Sequence, residues 1–296
     1  MKKFSIVIAL APYRSAEVLR SLKNINYDKG KYEIIIEKGY NPSENRNKGV
    51  KKAKGEIIYF LDDDAIVDKN ILKNAEGFFS KYKVDIVGGP QLTPKDDNFF
   101  AKLFGTAIES FWGSYKMANR YKKGNLNLNA DELSLTSANA FVKKDVFNKI
   151  KGFDTRLWPG EDPEFFSRAK KEGLKIAYSP NLVIYHRRRN DLFSFLKQHY
   201  KYGNVRLKRE AIGKNFASFV FIIPAVFSLY IIFLPILLLF SKDFFFPVKL
   251  HLIIDIIIGF YLALRKNIFY FPFLPIIFFL IHFSYGLGML VSLFKR

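Results

Sequence analysis

Cysteine is absent from the 296 residues, and methionine (three), tryptophan (two) and histidine (four) are scarce. Without cysteine there is no disulfide-stapled secreted scaffold, no thiolate metal site and no cysteine nucleophile. Acidic residues are also short: 27 Asp plus Glu face 47 Lys plus Arg, a formal net charge of +20. Charge of either sign nearly vanishes in one stretch. Residues 216 to 296 hold eight of the 74 charged side chains yet 17 of the 32 Phe. The mean hydropathy of +0.01 therefore averages a polar part with a lipid-soluble part, and a single soluble globule is excluded. A hydrophobic content of 49% argues against disorder or a fibrous repeat, and residues 1 to 215 suffice for one large α/β domain with a full core.

The location of the positive charge says more than its sum. From Arg187 to Lys214 there are nine Lys or Arg against Asp191 and Glu210, immediately before the apolar tail. Such a juxtamembrane basic segment is drawn to an anionic leaflet by about 1 kcal/mol per residue and sets orientation by the positive-inside rule. The expectation is a cytoplasmic domain over 1–215, with 187–215 as a basic interfacial segment, and a multi-pass domain over 216–296 in the cell membrane. A nucleic-acid partner is not expected, since no zinc-finger spacing, RNP motif or basic-region heptad accompanies the charge. Phe216 to Phe240 is 25 uncharged residues, about 37 Å of helix, enough to cross roughly 30 Å of hydrocarbon with tilt. Ile268 to Phe294 is a second such run. Leu250 to Leu264 is shorter and contains His251 and Asp255; it crosses only if residues 244–248 join it, so two to three spans are expected. Asp255 reads as a proton relay or headgroup contact, or as a protonated or water-facing residue near the interface. The apolar run in Met1 to Ala11 is too short for a signal peptide and lacks a small-residue cleavage site, so it reads as a first strand.

In the polar part, apolar strands at Phe4–Leu10, Tyr32–Ile36 and Glu56–Leu61 alternate with helical patterns at Ala16–Leu22 and Asn45–Ala53. That β-α-β-α-β order predicts a mainly parallel sheet flanked by helices, with ligands beyond the carboxyl ends of its strands. Asp62-Asp63-Asp64 emerges at one such end. Alternation points Asp62 and Asp64 one way and Asp63 another, and carboxylates this close need a cation. A hard divalent ion, Mg2+ or Mn2+, takes carboxylate and phosphate oxygens together and so could hold a nucleoside diphosphate; the bland alternative is a solvated loop with Asp68 capping a helix over 69–81. Glu161 and Asp162 stand just before Pro163, read as the first helical position. They either complement the helix dipole or supply a general base. His186 follows an apolar strand at 182–185 and either completes a metal shell or is an interfacial polar residue. Phe99 to Lys122 reads as one helical stretch, lying in headgroups, packed in a core or walling an acceptor.

Taken together, Ser5-Ile6-Val7-Ile8, Tyr32-Glu33-Ile34-Ile35-Ile36, Arg46-Asn47-Lys48-Gly49, Gly55 through Asp64, Gly152-Phe153-Asp154, and Gly160-Glu161-Asp162 with Arg168 and Gly173 resemble a membrane-anchored family 2 glycosyltransferase of GT-A (Rossmann-like) fold. The helix-forming segment 192–202 is similar to that of the succinoglycan-building type. The resemblance spans residues 4 to 205. It implies that Asp62 and Asp63 contact the nucleotide sugar, with Arg46 on the diphosphate and Glu37 in the base-reading position. It further implies metal on Asp64 and His186, catalysis at Asp162 beside Glu161, and Trp158, Gln198 and Lys201 at the acceptor or interface. Lys201 and Tyr202 stand where processive synthases carry Arg and Trp. The implied partners are a nucleoside diphosphate sugar, a lipid-linked acceptor and membrane lipids, with Mg2+ or Mn2+ as cofactor. A polyprenyl-phosphate glycosyl synthase and a noncatalytic membrane protein keeping the fold are the alternatives.

Overall fold

A computed structural model describes residues 2–206 and 219–294. The start of the first expected span, the basic residues between 207 and 214 and the terminal Lys295-Arg296 lie outside them. The chain divides into two compact units: residues 1–95 with 116–187, and residues 96–115 with 188–296. The second unit thus takes in the 96–115 segment and the helix after residue 191 as well as the apolar tail.

The first unit is built on a six-stranded sheet. In chain order its strands are β1 (Phe4–Leu10), β2 (Tyr32–Lys38), β3 (Ile57–Asp62), β5 (Ile86–Gly88), β7 (Asn139–Lys143) and β8 (Ile176–Tyr178), arranged β2-β1-β3-β7-β5-β8. β1 runs parallel to both β2 and β3, and β5 parallel to β8, but β7 is antiparallel to β3 and β5. The sheet is therefore mixed. β1 and β3 are near-continuous apolar runs because both of their faces are covered, as central strands require. The side-chain period of two sorts them into two cores. Phe4, Ile6, Ile8, Tyr59 and Leu61 face one cluster with α1 (Leu19–Leu22) and α3 (Ile71–Lys81); Val7, Ile58 and Phe60 face the other, with α2 (Pro42–Lys52), α6 (Lys144–Ile150) and α7 (Glu161–Lys171). A second, three-stranded sheet orders β4 (Ala65–Val67), β9 (Ile184–His186) and β6 (Gln91–Leu92).

Local chemistry sets the helix ends. Asn41 caps α2 by accepting from the Ser43 and Glu44 N–H groups, with Pro42 in the first turn. α3 begins at Ile71, two residues later than expected: Asp68 spends its carboxylate on the Asn70 N–H instead of capping the helix. The expected 16–22 helix shrinks to the single turn of α1, because the Val18 N–H is drawn to the Asp63 carbonyl at 2.9 Å. Pro163 is the third residue of α7, so Glu161 and Asp162 form its first turn.

The 99–122 stretch is broken: α4 (Phe99–Ile108) and α5 (Phe111–Ser114) belong to the second unit, and after Tyr115, at φ 53°, a 3-10 turn leads back into the first. Phe104 of α4 stacks on Phe195 at 4.3 Å, so this segment is packed within its unit. α8 (Leu192–Arg206), α9 (Ile223–Phe240), α10 (Phe246–Lys266) and α11 (Leu274–Phe294) complete it. Residues 242–266 and 274–294 are long and apolar enough to cross a membrane, and only 17% and 39% of these stretches are buried, so most of their apolar surface faces outward. The middle segment, expected to be short, is thus a full-length helix, whereas the described part of the first, α9, has 18 residues with Pro235 inside.

Close helix approach in this unit depends on glycine. A Cβ on Gly203 of α8 would lie 1.9 Å from the Tyr285 carbonyl oxygen, and one on Gly288 of α11 would lie 2.1 Å from that of Tyr200. Small residues let apolar helices touch backbone to backbone. A Cβ on Gly77, inside α3, would meet nothing within 4 Å. Gly77→Ala should accordingly stabilise the protein by about 0.5–1 kcal/mol, the helix-propensity gain. Gly203→Ala should destabilise it by about 1–3 kcal/mol through overpacking. Thermal unfolding in detergent, followed by circular dichroism, reads both.

Candidate active site

Strand parity decides where the acidic triplet points. Ile58 and Phe60 face α2 and α7, so Asp62, two residues beyond Phe60, continues toward the same side. Arg46 of α2 meets it there: Nη2 lies 3.4 Å from Asp62 Oδ1 and Nη1 2.9 Å from Glu161 Oε1 at the start of α7. Both side chains of the Arg46–Glu161 pair are 8% exposed. The Phe153 ring lies 5.5 Å beneath the guanidinium. Burial works against the charge on Arg46, but Asp162, Glu161 and Asp62 raise its pKa on balance. One guanidinium of α2 therefore ties the end of β3 to the first turn of α7, the latter 115 residues further along the chain than Arg46 itself.

Glu161 and Asp162 differ in how they are engaged. Glu161 accepts from Arg46 on Oε1 and from the Gly160 N–H on Oε2, so both oxygens are occupied. Burial pushes its pKa up, Asp162 pushes it further, and Arg46 opposes. Asp162 Oδ1 is buried with no hydrogen-bond partner among the described residues. Glu161 is thus engaged on both carboxylate oxygens, whereas Asp162 keeps one open among the described residues.

Asp63 and Asp64 are held by a residue that the sequence did not single out. Arg14, just past β1, places Nε 3.1 Å from Asp63 Oδ2 and Nη2 2.5 Å from Asp64 Oδ2. Its signal was present as a basic residue at the carboxyl end of a central strand. Asp63 is buried, which pushes its pKa up to about 6 against the pull of Arg14. Burial would raise Asp64 too, but hydrogen bonds and charge from His186 and Arg14 hold it below the usual carboxylate range. Burial raises Asp62, Arg46 and His186 oppose, and Asp64 and Asp162 add to the rise.

His186 reaches the triplet by strand register. β4 starts directly after Asp64 and pairs antiparallel with β9, placing Ala65 opposite His186. His186 Nε2 then lies 3.0 Å from Asp64 Oδ1 and 4.0 Å from Asp62 Oδ2. Ligand atoms of Asp62, Asp64 and His186 all fall within 4.8 Å of one another. Two carboxylates and one imidazole, with His186 Nδ1 buried and without a hydrogen-bond partner among the described residues, fit an oxygen-preferring divalent ion such as Mn2+ or Mg2+, which would relieve the repulsion between the acids.

The remaining expected residues are dispersed. Glu37 stands in register with Ala9, and Ala9 with Asp62, so Glu37 shares their row at the strand ends, where Lys52 Nζ pairs with it at 2.6 Å. Arg46, expected on a diphosphate, has its charge committed to Glu161 and Asp62. Trp158 is 60% exposed in the loop before α7. Gln198 and Lys201 lie on α8 in the second unit, where Gln198 Nε2 donates to the Tyr202 hydroxyl at 2.9 Å. Removing Arg46 (Arg46→Gln) leaves buried Glu161 without its cation and should cost about 3–5 kcal/mol. Arg14→Gln, at a guanidinium 43% exposed, should cost no more than about 1 kcal/mol. Urea unfolding of the two variants checks the contrast.

Several known proteins are similar to this chain. An O-antigen chain rhamnosyltransferase of Salmonella typhimurium is 29% identical over 154 residues, covering 51% of this chain and 48% of its own length. The glycosyltransferase AglE of Haloferax volcanii is 26% identical over 179 residues, covering 60% and 54%. The chain thus spans about half the length of these relatives. A mannosyltransferase from Pyrobaculum calidifontis, solved in complex with GDP-Man and Mn2+, superposes with a TM-score of 0.57 at 16% identity over 99% of this chain and 88% of that one, which is a likeness of fold. The model of glycosyl transferase family group 2 matches residues 57–291, from the strand bearing the acidic triplet into the final apolar helix, and the chain belongs to that family.

Proposed function

We propose that this protein moves one sugar from a nucleoside diphosphate sugar to a hydroxyl of a lipid-linked saccharide, inverting the anomeric centre, at the cytoplasmic face of the membrane. The observation that carries the reading is the gathering of Asp62, Asp64 and His186, with Arg46 joining Asp62 to Glu161, the chain neighbour of Asp162. In the reaction the bond from the anomeric carbon to the diphosphate oxygen breaks, its electron pair leaving with the diphosphate, as the acceptor oxygen bonds from the opposite face. Asp162 takes the hydroxyl proton on the unengaged Oδ1. Asp62, Asp64 and His186 would hold a divalent ion, which supplies positive charge beside the departing diphosphate. Arg14 keeps Asp63 and Asp64 in place and is exposed enough to offer a donor to a phosphate oxygen. Glu37, in line with Asp62 at the strand ends, is the candidate contact for the base.

Asp162 also supports the choice of acceptor. A phosphate monoester is largely ionised near neutral pH and requires no base, whereas a sugar hydroxyl does. The relatives fit this reading, since one is named as a rhamnosyltransferase of the O-antigen chain. Further support comes from the apolar second unit. With two helices long enough to cross a bilayer, it would confine the same chain to the membrane, where a lipid-linked acceptor is concentrated. The basic residues from Arg187 onward favour the cytoplasmic side.

Asp162→Asn should reduce transfer to a hydroxyl acceptor by about 10²–10⁴-fold, the usual contribution of general-base catalysis, with donor binding unchanged. Mass analysis of lipid-linked acceptors incubated with donor reads this, and full activity in the variant would overturn the role of Asp162. His186→Gln should instead raise the Mn2+ concentration needed for half-maximal transfer, leaving the rate at saturating Mn2+ within about tenfold. A Mn2+ requirement unmoved in that variant would remove His186 from the ion's shell.

A further inference from the structure

The second unit contains another convergence of ligating side chains, unrelated to the acidic triplet. His251 and Asp255 stand one turn apart on α10 and share a face, while His282 comes from α11. We propose that His251, Asp255 and His282 form a binding site for one transition-metal ion of the Zn2+ type. This proposal does not depend on the reading of the first unit.

Three observations carry it. The first is spacing. His251 Nε2 lies 3.3 Å from Asp255 Oδ2 and 3.3 Å from His282 Nδ1, and ligand atoms of the three residues are all within 4.8 Å of one another. In a tetrahedral zinc site with ligand bonds of about 2.0–2.2 Å, neighbouring ligand atoms are separated by about 3.3 Å.

The second is orientation. His282 Nε2 is 2.8 Å from the Trp112 carbonyl oxygen, which can only accept, so Nε2 carries the hydrogen. In the neutral ring, Nδ1 then turns its lone pair toward His251 and Asp255. From its other end, Trp112 donates its indole N–H to Asp255 Oδ1 at 2.6 Å. A single residue of α5 thus fixes two of the three ligands, as outer-shell partners do in metal sites.

The third is an unanswered polar atom. Asp255 is fully buried, and its Oδ2, aimed at His251, has no hydrogen-bond partner among the described residues. The surroundings are aromatic: Phe227 stacks on the His251 ring at 4.3 Å, and Trp112 lies edge-on to His282 at 5.0 Å. A carboxylate in such a place needs a cation or a proton. Two imidazoles and one carboxylate suit Zn2+ better than the hard ions expected at Asp62 and Asp64. Three protein ligands leave a fourth position for water. The ion would join α10 to α11, with α5 held through Trp112.

The test uses the full chain in detergent, carrying Asp62→Asn and Asp64→Asn so that the first site does not compete. After stripping with chelator and equilibration with Zn2+, elemental analysis should find one Zn2+ per chain, and Co2+ in its place should give the visible absorption of a four-coordinate ion. His282→Gln should lose the stoichiometric ion. Trp112→Phe, which removes only the indole donor, should weaken binding about 10–100-fold. Should His282→Gln fail to fold, the unmodified second unit still decides the matter: the unfolding midpoint should rise with Zn2+ concentration and not with Mg2+. Absence of stoichiometric Zn2+ would mean that the cluster only shares a proton, and unchanged Zn2+ affinity in both variants would put the ion elsewhere; either result overturns the proposal.

Discussion

Five carboxylates crowd the carboxyl ends of β1 and β3 and the first turn of α7, and their mutual repulsion is the constraint on everything around them. Arg46 answers it from inside. Buried against Phe153 and bonded to Asp62 and Glu161, it joins the central strand to the helix that carries Asp162. Arg14 answers it from the rim, on Asp63 and Asp64. The inner cation is fully committed to protein and the outer one is half in solvent. In the proposed reaction such a division would separate holding the site together from receiving an anionic ligand.

The same architecture explains why so few residues are needed. A strand period of two delivers Asp62 to the α2 and α7 face and Asp63 toward Arg14, and an antiparallel register of three residues brings His186 beside Asp64. None of these placements requires a long loop. In the proposed reaction the ion-holding side and the proton-accepting side are therefore held at a distance set by β3, Arg46 and α7, with Glu161 as a strut. The second unit follows different rules, because its long helices keep most of their apolar surface facing outward and meet one another through small residues. Glycine contacts at Gly203, Gly286 and Gly288 and hydroxyl-to-carbonyl bonds such as Ser228 to Phe283 provide its specificity.

Much of this was legible in the sequence, and the reasons are physical. The unbroken run Ile57–Leu61 announced a strand covered on both faces, and the acidic triplet at its end announced a site, because such sheets bind at that edge. Gly173 after α7 and the uncharged run over 274–294 were equally plain. What escaped detection depends on three-dimensional pairing. Nothing local says that β7 inserts antiparallel into a parallel sheet, that Arg14 folds back onto the triplet 50 residues later, or that the Arg46 charge is consumed by Glu161. The 99–122 stretch looked like one helix because its apolar spacing is continuous, but α4 stops at Ile108 and the short α5 stops at Ser114, before Tyr115 with φ 53°. Asp255 was visible as an anomaly in an apolar run, but its partners come from α5 and α11, so only the fold could assemble them.

The central claim is that one ion, held by residues from β3 and β9, sits within reach of a diphosphate and of the proton acceptor on α7. Crystals grown with Mn2+ and a nucleoside diphosphate, and measured for anomalous scattering, test it most directly. The account predicts a single strong Mn2+ peak in the first unit, about 2.2 Å from oxygens of Asp62 or Asp64 and from His186, with phosphate oxygens completing its shell. A nucleotide bound with its Mn2+ at any other place in that unit would contradict it.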